Sequence, residues 1–445
     1  MKQKSTWFFL HYIRLAAKLQ LLKTSPTCIG ITGSAGKTST QHAVVAALQP
    51  ECRLHFTYNA NSETGLPLSI LGIKPRNFSL LDWLRIAFET IWRLLTNWKQ
   101  YDVLVAEMGI DSPFPPKNME YLLSIVRPQI SILLNAAPMH SEPFDILVTE
   151  KDPAKRRAEI ISRIAKEKGR IVTDIPADAT AIVNSDQKEL RELLPLIQAT
   201  CITFGEQSDA QIQIGSSSPS HSGTTFVFTI KAKSYTLHIK NYALAHHYSY
   251  SFAAALATAV QLRIPLQKAI ENIETRFTLE PGRSSLIEGK NGVTILDSSY
   301  NSSTKPTIEM LEMLPNIGAA RCTALLGDIR EIGSMTQLEH EAVAKAAAKY
   351  CDAVFLVGPQ MKKYAVPILK QHKITHKWFS SALKAAEYLE TYLKPGDLLL
   401  VKSSQNTLLL EIVVEMLMQH PEKAEKLLCR RGSFWDKKRS LYLHH

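Results

Sequence analysis

The feature that most constrains this chain is a glycine-rich turn between an apolar strand and a helix. Cys28-Ile29-Gly30-Ile31 reads as a short buried strand. Gly33-Ser34-Ala35-Gly36-Lys37-Thr38-Ser39 reads as a loop, and Lys37 to Leu48 as a helix. Strand, loop and helix in that order is the layout of a phosphate-binding loop. Glycines let backbone N–H groups approach phosphate oxygens, a lysine reaches the β/γ-phosphates, and the Thr38 hydroxyl can hold Mg²⁺. The helix points its positive end at the anion. Position 31, where the longer form of the loop has its first glycine, is isoleucine, so this is the shorter Gly-x-x-Gly-Lys-Thr form. Nucleotide binding is the expectation.

The surrounding pattern predicts an α/β fold with a mostly parallel sheet. Val103 to Ala106 is an apolar strand ending at Glu107, and Ile130 to Leu134 is another ending at Asn135. Polar residues just after the C-terminal ends of apolar strands are where such folds place ligands. Residues 200–240 differ. Ile212, Ile214, Phe226, Phe228, Ile230, Tyr235, Leu237 and Ile239 alternate with polar residues around Ser/Gly turns, which predicts a hairpin or small antiparallel sheet. After Pro281-Gly282-Arg283, apolar strands at Val293–Leu296, Thr323–Leu326, Val354–Val357 and Leu398–Val401 alternate with helices, a second, Rossmann-like unit. The predicted division is an N-terminal helix (1–25), an ATP-binding domain (26–280), a Rossmann-like domain (281–420) and a basic tail (421–445), its charges read as a solvated helix face.

Length and charge narrow the partners. A chain of 445 residues supports two or three domains. Its net charge of +11 suits nucleic acid, an anionic membrane surface or a phosphorylated small molecule. No nucleic-acid-binding signature is present, so phosphate-bearing ligands are expected and nucleic acid is not. The six cysteines form no Cys-x-x-Cys pair, which fits a reducing cytoplasm. Met1 to Lys23 begins like a signal peptide, but His11, Arg14 and Lys18 interrupt its apolar run. It predicts an amphipathic helix whose apolar face packs on the protein or lies on a membrane surface. A monomer is expected.

Further motifs follow in order. They are Tyr58-Asn59-Ala60-Asn61 with Gly65-Leu66-Pro67, Glu107-Met108-Gly109, Asn135 to His140, and Ala165-Lys166-Glu167-Lys168-Gly169. Later come Gly282-Arg283, Asp297-Ser298-Ser299-Tyr300-Asn301, Leu326-Gly327-Asp328-Ile329-Arg330-Glu331 with His340, and Lys402-Ser403-Ser404. Together they resemble the Mur ligases, and among them the ligases that add D-alanyl-D-alanine to a muramyl peptide. The resemblance implies an ATP-dependent amide ligase working through an acyl phosphate. It implies catalytic roles for Lys37, Glu107, His140 and Lys168, and Mg²⁺ held by Thr38, Glu107, His140 and a carbamylated Lys168. It implies ATP contacts from Gly33 to Ser39 and from Arg283, Asp297 and Asn301, and substrate contacts from Asn59, Asn61, Asp328, Glu331 and Lys402. Folate or another peptide as substrate, or a non-catalytic nucleotide-binding scaffold, are the alternatives.

The pattern also departs from the family. Met1–Lys23 stands where these ligases carry a domain that grips the UDP part of the substrate, and the Leu80–Trp98 stretch is a candidate replacement surface. The family's His-Asn-x-x-Asn reads His247-Tyr248-Ser249-Tyr250-Ser251, so Tyr248 or Tyr250 is a candidate to stack on adenine.

Overall fold

The computed structural model describes residues 2–57, 60–139, 141–220, 223–240, 242–404 and 407–443. They form two compact units. The first comprises Met1–Gly215, Phe228–Tyr235 and Ser249–Phe277, and the second Ser216–Val227, Thr236–Tyr248 and Thr278–His445.

The chain opens with helix α1 (Lys2–Thr24), then β1 (Thr27–Thr32), α2 (Lys37–Leu48), β2 (Leu54–Phe56), α3 (Gly65–Leu71), α4 (Leu80–Thr96), β3 (Val103–Glu107) and β4 (Ile130–Leu133). The sheet continues with β5 (Thr180–Asn184), β6 (Thr200–Gly205), β7 (Ile212–Ser220), β8 (Gly223–Ile230) and β9 (Lys233–Lys240). Its order is β2-β3-β1-β4-β5-β6-β7-β8-β9. The pairs from β2 to β7 are parallel. Every residue of β3, β4 and β5 is buried, as expected of strands covered on both faces. The period-two segment extends this sheet as β7–β9 instead of standing as a sheet of its own. β1 lies between β3 and β4, so the chain leaves β1 towards one side and later returns to the other. Such a reversal, at the carboxyl end of β1, is where α/β sheets place their ligands.

The second unit holds β10 (Ser285–Glu288), β11 (Thr294–Ser298), β12 (Arg321–Gly327), β13 (Ala353–Val357), β14 (Thr375–Phe379) and β15 (Asp397–Lys402). Their order is β10-β11-β15-β12-β13-β14, parallel except for β10 against β11. The Asp297 motif, the Asp328 motif and the Lys402 motif all fall at the carboxyl ends of neighbouring strands β11, β12 and β15.

The basic tail is not only a solvated face. Arg430 is buried, and Nη1 donates to Glu411 Oε2 at 2.7 Å. Its other nitrogen donates to the Tyr300 carbonyl at 2.6 Å. Cys429 beside it packs so closely on Gly282 that a Cβ there would lie 2.9 Å from its sulfur, and Gly282 has φ +77. The tail therefore pins the Gly282-Arg283 segment and the Asp297–Asn301 turn in the second unit. Removing one member of a buried pair leaves an uncompensated charge, at a cost of about 3–5 kcal/mol. Arg430→Met is expected to lower the unfolding free energy from urea titration by that amount, and with it the midpoint, and the double change with Glu411→Leu to recover most of the loss. Equal midpoints for the single and double variants would show that the bridge carries no such role.

Candidate functional site

The phosphate loop is held by the strand next door. The Asn135 side chain makes a reciprocal pair with the Ala35 peptide: the Ala35 N–H donates to Oδ1 at 2.9 Å, and Nδ2 donates to the Ala35 carbonyl at 3.0 Å. The Ser34 N–H donates to the Asn135 carbonyl at 3.0 Å. Ser34 Oγ donates to the Ala137 carbonyl at 3.0 Å and accepts from the Ala137 N–H at 2.8 Å. Gly33 is tight against β4, where an added Cβ would sit 2.9 Å from that of Leu134. Gly36 caps α2 at φ 84, a conformation that only glycine adopts freely. Ser39 is buried in the first turn of α2, and the Lys37 ammonium folds back to donate to the Gly33 carbonyl at 2.9 Å. The positive end of α2 thus faces a loop whose shape is fixed from the side.

A second tier supports the first. Gln187 bridges both backbone groups of Ala136, and Asn184 Nδ2 donates to the Leu134 carbonyl at 2.7 Å. Sequence reading missed both. Asn184 carried the same signal as Glu107 and Asn135, a polar residue closing an apolar strand.

On the other side of β1, Glu107 pairs in register with Ile31 and is 5% exposed. Its N–H donates to Thr57 Oγ1 at 3.0 Å, and Gln41 Nε2 holds the same hydroxyl at 3.2 Å. Among the described residues its carboxylate makes no hydrogen bond or ion pair, although burying an unpaired carboxylate is costly. Asn61 accepts the Gly109 N–H through its carbonyl at 2.9 Å, which joins the Asn61 loop to the end of β3. Asn59 and His140 lie outside the described residues.

Lys168, in the charged run Lys166-Glu167-Lys168, is buried. Helix Pro153–Thr173 starts at Asp152, whose side chain accepts from the Lys155 N–H, with proline in the first turn. Ile160, Ile161, Ile164, Ala165, Lys168 and Gly169 follow at one-face spacing and are buried, whereas Lys166 is exposed. Burial, then the nearby Lys37 charge, lower the Lys168 ammonium from 10.5 to about 7, against the opposing pull of Asp111 and Glu167. At neutral pH a large share of this amine is uncharged. Among the described residues no cluster of three or more His, Cys, Asp or Glu forms a ready cage for a metal. The donors at hand, the Thr38 hydroxyl and the Glu107 carboxylate, are hard oxygens. They suit Mg²⁺, which takes few protein ligands and completes its shell with water and phosphate.

In the second unit Asp297 is fully buried. Its Oδ1 accepts the Ser299 N–H at 3.0 Å, and burial raises its carboxyl despite Ser299, Arg430 and Lys402. Lys402 is buried beside it, with Nζ donating to Ser298 Oγ and to the Asn301 carbonyl, each at 3.1 Å. Burial and the Arg283 charge lower this ammonium to about 7. Arg283 lies over the Tyr300 ring at 4.4 Å, and Asn301 is half-buried. Asp328 is buried and accepts from the N–H groups of Met361 and Gln360 at 2.8 and 3.2 Å. Glu331 is exposed with φ 61. Tyr248 is buried with its hydroxyl on Ser284 at 3.0 Å, and its ring faces His247. In the first unit Tyr250 reaches Asp186 and Glu206, each at 2.7 Å.

Residues 31–259 match the Mur ligase middle domain, and residues 282–405 the Mur ligase glutamate ligase domain. The chain belongs to the Mur ligase family. Among curated relatives, the UDP-N-acetylmuramoyl-tripeptide–D-alanyl-D-alanine ligase of Synechocystis is 25% identical over 92% of this chain and 78% of its own length. The Bacillus subtilis ligase of the same name is 25% identical over 90% and 78%. Among solved structures, MurF ligase from Thermotoga maritima in complex with ADP has a TM-score of 0.72 at 23% identity, covering 93% of this chain and 84% of that one. MurF from Acinetobacter baumannii has a TM-score of 0.73 at 19% identity, covering 91% and 79%. In this Mur ligase, as in those two, the α/β architecture is the shared element.

Lys168 gives a pH signature. Its folded value lies below its unfolded one, so the unfolded chain binds more protons between about pH 7 and 10.5. Its contribution is fully present above 10.5 and is lost as the pH falls through about 7. Thermal stability of Lys168→Met is therefore expected to climb less between pH 7 and 10.5 than that of the parent, with Lys402 retaining its own share. Identical slopes in a pH series of melting curves would place Lys168 in water.

Proposed function

We propose that this ATP-dependent ligase joins D-alanyl-D-alanine to a muramyl-peptide precursor of the cell wall. The observation that carries the reading is the first unit's phosphate loop, clasped by Asn135 on one side with Glu107 closing the strand on the other. The two relatives named for that reaction support it.

In the first step a carboxylate oxygen of the muramyl peptide attacks the γ-phosphorus of ATP, forming an acyl phosphate and ADP. The amine of the dipeptide then attacks the acyl carbon. Loss of its proton and of phosphate leaves the amide. Charge spreads over the transferring phosphoryl oxygens, so fixed positive groups are what such a site has to supply. Lys37 exchanges the Gly33 carbonyl for the β/γ-phosphate oxygens, and the loop from Gly33 to Ser39 wraps them, with the N–H groups of Gly36 to Ser39 at the start of α2 turned to phosphate while those of Ser34 and Ala35 stay on Asn135. Thr38, Glu107, His140 and Lys168 are the proposed Mg²⁺ residues. Mg²⁺, when bound, supplies charge neutralisation of the phosphates.

The neutral amine of Lys168 is the form that adds CO₂. Forming the N–C bond releases one amine proton to solvent, so carbamylation would turn the side chain into an anionic oxygen donor that offsets the Lys37 charge nearby. Asn59 and Asn61 are proposed to hold substrate, as are Asp328, Glu331 and Lys402. Lys402 in addition positions the Asn301 turn through the bonds it makes. Arg283, Asp297 and Asn301 are the proposed nucleotide residues of the second unit, Asp297 through the turn it braces. The four-part division into helix, ATP-binding domain, Rossmann-like domain and tail, a monomeric state and a cytoplasmic location belong to the same reading. So does a peripheral contact of the N-terminal helix with a membrane surface.

Phosphate release from ATP and Mg²⁺ tests this directly. Release is expected only when UDP-muramyl-tripeptide and D-alanyl-D-alanine are both present. Lys37→Ala is expected to lower it about 10²–10³-fold or more, the scale for one lost transition-state donor. Release with a folate acceptor instead would move the substrate assignment elsewhere in the family.

A further inference from the structure

Helix α4 is amphipathic, but it is turned inside out. Asp82, Ile86 and Thr90 are its buried residues. Leu81, Leu84, Phe88, Ile91 and Leu95 recur at alternating three- and four-residue steps, which places them on one face, and that face is exposed. Phe88 is 75% exposed and Leu81 78%. Polar atoms anchor the inner side. Asp82 accepts the N–H groups of Arg76, Asn77 and Phe78, and Arg85 bridges Asp82 and Glu89.

Helix α1 lies alongside in the same direction, as its contacts show. Phe9 packs on Trp83, Tyr12 Oη donates to the Ala87 carbonyl and Gln20 Nε2 to the Asn97 carbonyl. It buries Leu10, Ile13, Ala17 and Gln20 against the protein, while Phe8, Leu15, Leu19 and Leu22 are exposed on its other side. The two outward rows adjoin, with the Lys23 ammonium 4.4 Å above the Trp98 ring. Scattered exposed leucines need no explanation, but nine large apolar side chains exposed along two helices packed side by side mark a contact surface.

Charge selects the occupant. Residues 1–24 contain five Lys or Arg and no Asp or Glu, and residues 74–99 contain five Lys or Arg against two acids. Those two acids, Asp82 and Glu89, are both paired with arginines. A second copy of this face would bring like charge against like. An anionic bilayer brings the complement, and tryptophan, leucine and phenylalanine beside lysines and arginines is the composition of helices that lie in the headgroup plane. No helix among the described residues is long and apolar enough to cross a membrane.

We propose that α1 and α4 together form a monotopic membrane-docking surface that binds bilayers rich in anionic lipid. This goes beyond a contact of the N-terminal helix alone, because the larger apolar row belongs to α4. It stands independently of the substrate assignment.

Flotation of the full-length chain with vesicles tests it. Binding is expected to vesicles of phosphatidylcholine with phosphatidylglycerol, weaker binding to phosphatidylcholine alone, and loss of binding as salt is raised. The triple change Leu81→Gln, Phe88→Gln, Leu95→Gln is expected to weaken partition about tenfold or more while leaving the far-ultraviolet spectrum unchanged. Lys18→Glu with Lys99→Glu is expected to remove the preference for the anionic lipid. No flotation, or equal flotation of parent and triple variant, would overturn the proposal. So would a parent that sediments as a dimer, ignores vesicles and becomes monomeric in the triple variant, since a second copy would then be the occupant.

Discussion

The double hydrogen bond between the Asn135 side chain and the Ala35 peptide is the constraint from which the rest of the first unit follows. It exists because β1 is flanked by β3 and β4, so that the loop after β1 meets the loop after β4 at the carboxyl edge of the sheet. A glycine-rich loop alone is entropically costly to order. Here the cost is met by β4, by two bonds from Ser34 to Ala137, and by Gln187 and Asn184 one layer further out. The same arrangement places Glu107 on the opposite flank, its backbone fixed by Thr57 and its carboxylate left without a protein partner among the described residues.

Lys168 sets the role proposed for it against the stability of this unit. A lysine on the apolar stripe of a helix weakens the fold at neutral pH, because its charge is poorly solvated and faces Lys37. A protein optimised only for stability would place methionine or leucine there. The lowered ammonium is useful only if the neutral amine, or what is made from it, has a task. The buried Lys402 of the second unit has the same cost, and there it is offset by bonds to Ser298 and Asn301.

Much of this was legible in the sequence because the residues that matter follow uninterrupted apolar strands. The helix expected from Lys37 to Leu48 is found with those ends, and the strands ending at Glu107 and near Asn135 appear as read. What escaped was set by tertiary context. β14 is the edge strand of its sheet and carries His376, Lys377 and Trp378, so it offers little apolar signal. The alternation of residues 212–239 marked strands but could not say which sheet they would join. The charges of the tail were read as solvated, yet Arg430 is buried because the segment around it packs. The direction of α4 could not be inferred at all. An amphipathic pattern gives the apolar face, and only the fold shows that this face is turned outward.

Asn135 holds the Gly33–Lys37 loop in shape, and what is proposed for the nucleotide site rests on that. Calorimetry of ADP binding to Asn135→Ala tests it most directly, since Asn135 is not itself proposed to touch phosphate. Two hydrogen bonds at about 1 kcal/mol each predict an affinity about ten- to thirtyfold weaker, with the melting temperature little changed. An unchanged affinity in a folded Asn135→Ala protein would mean that the loop keeps its shape unaided and that the clasp from β4 is not what builds the nucleotide site.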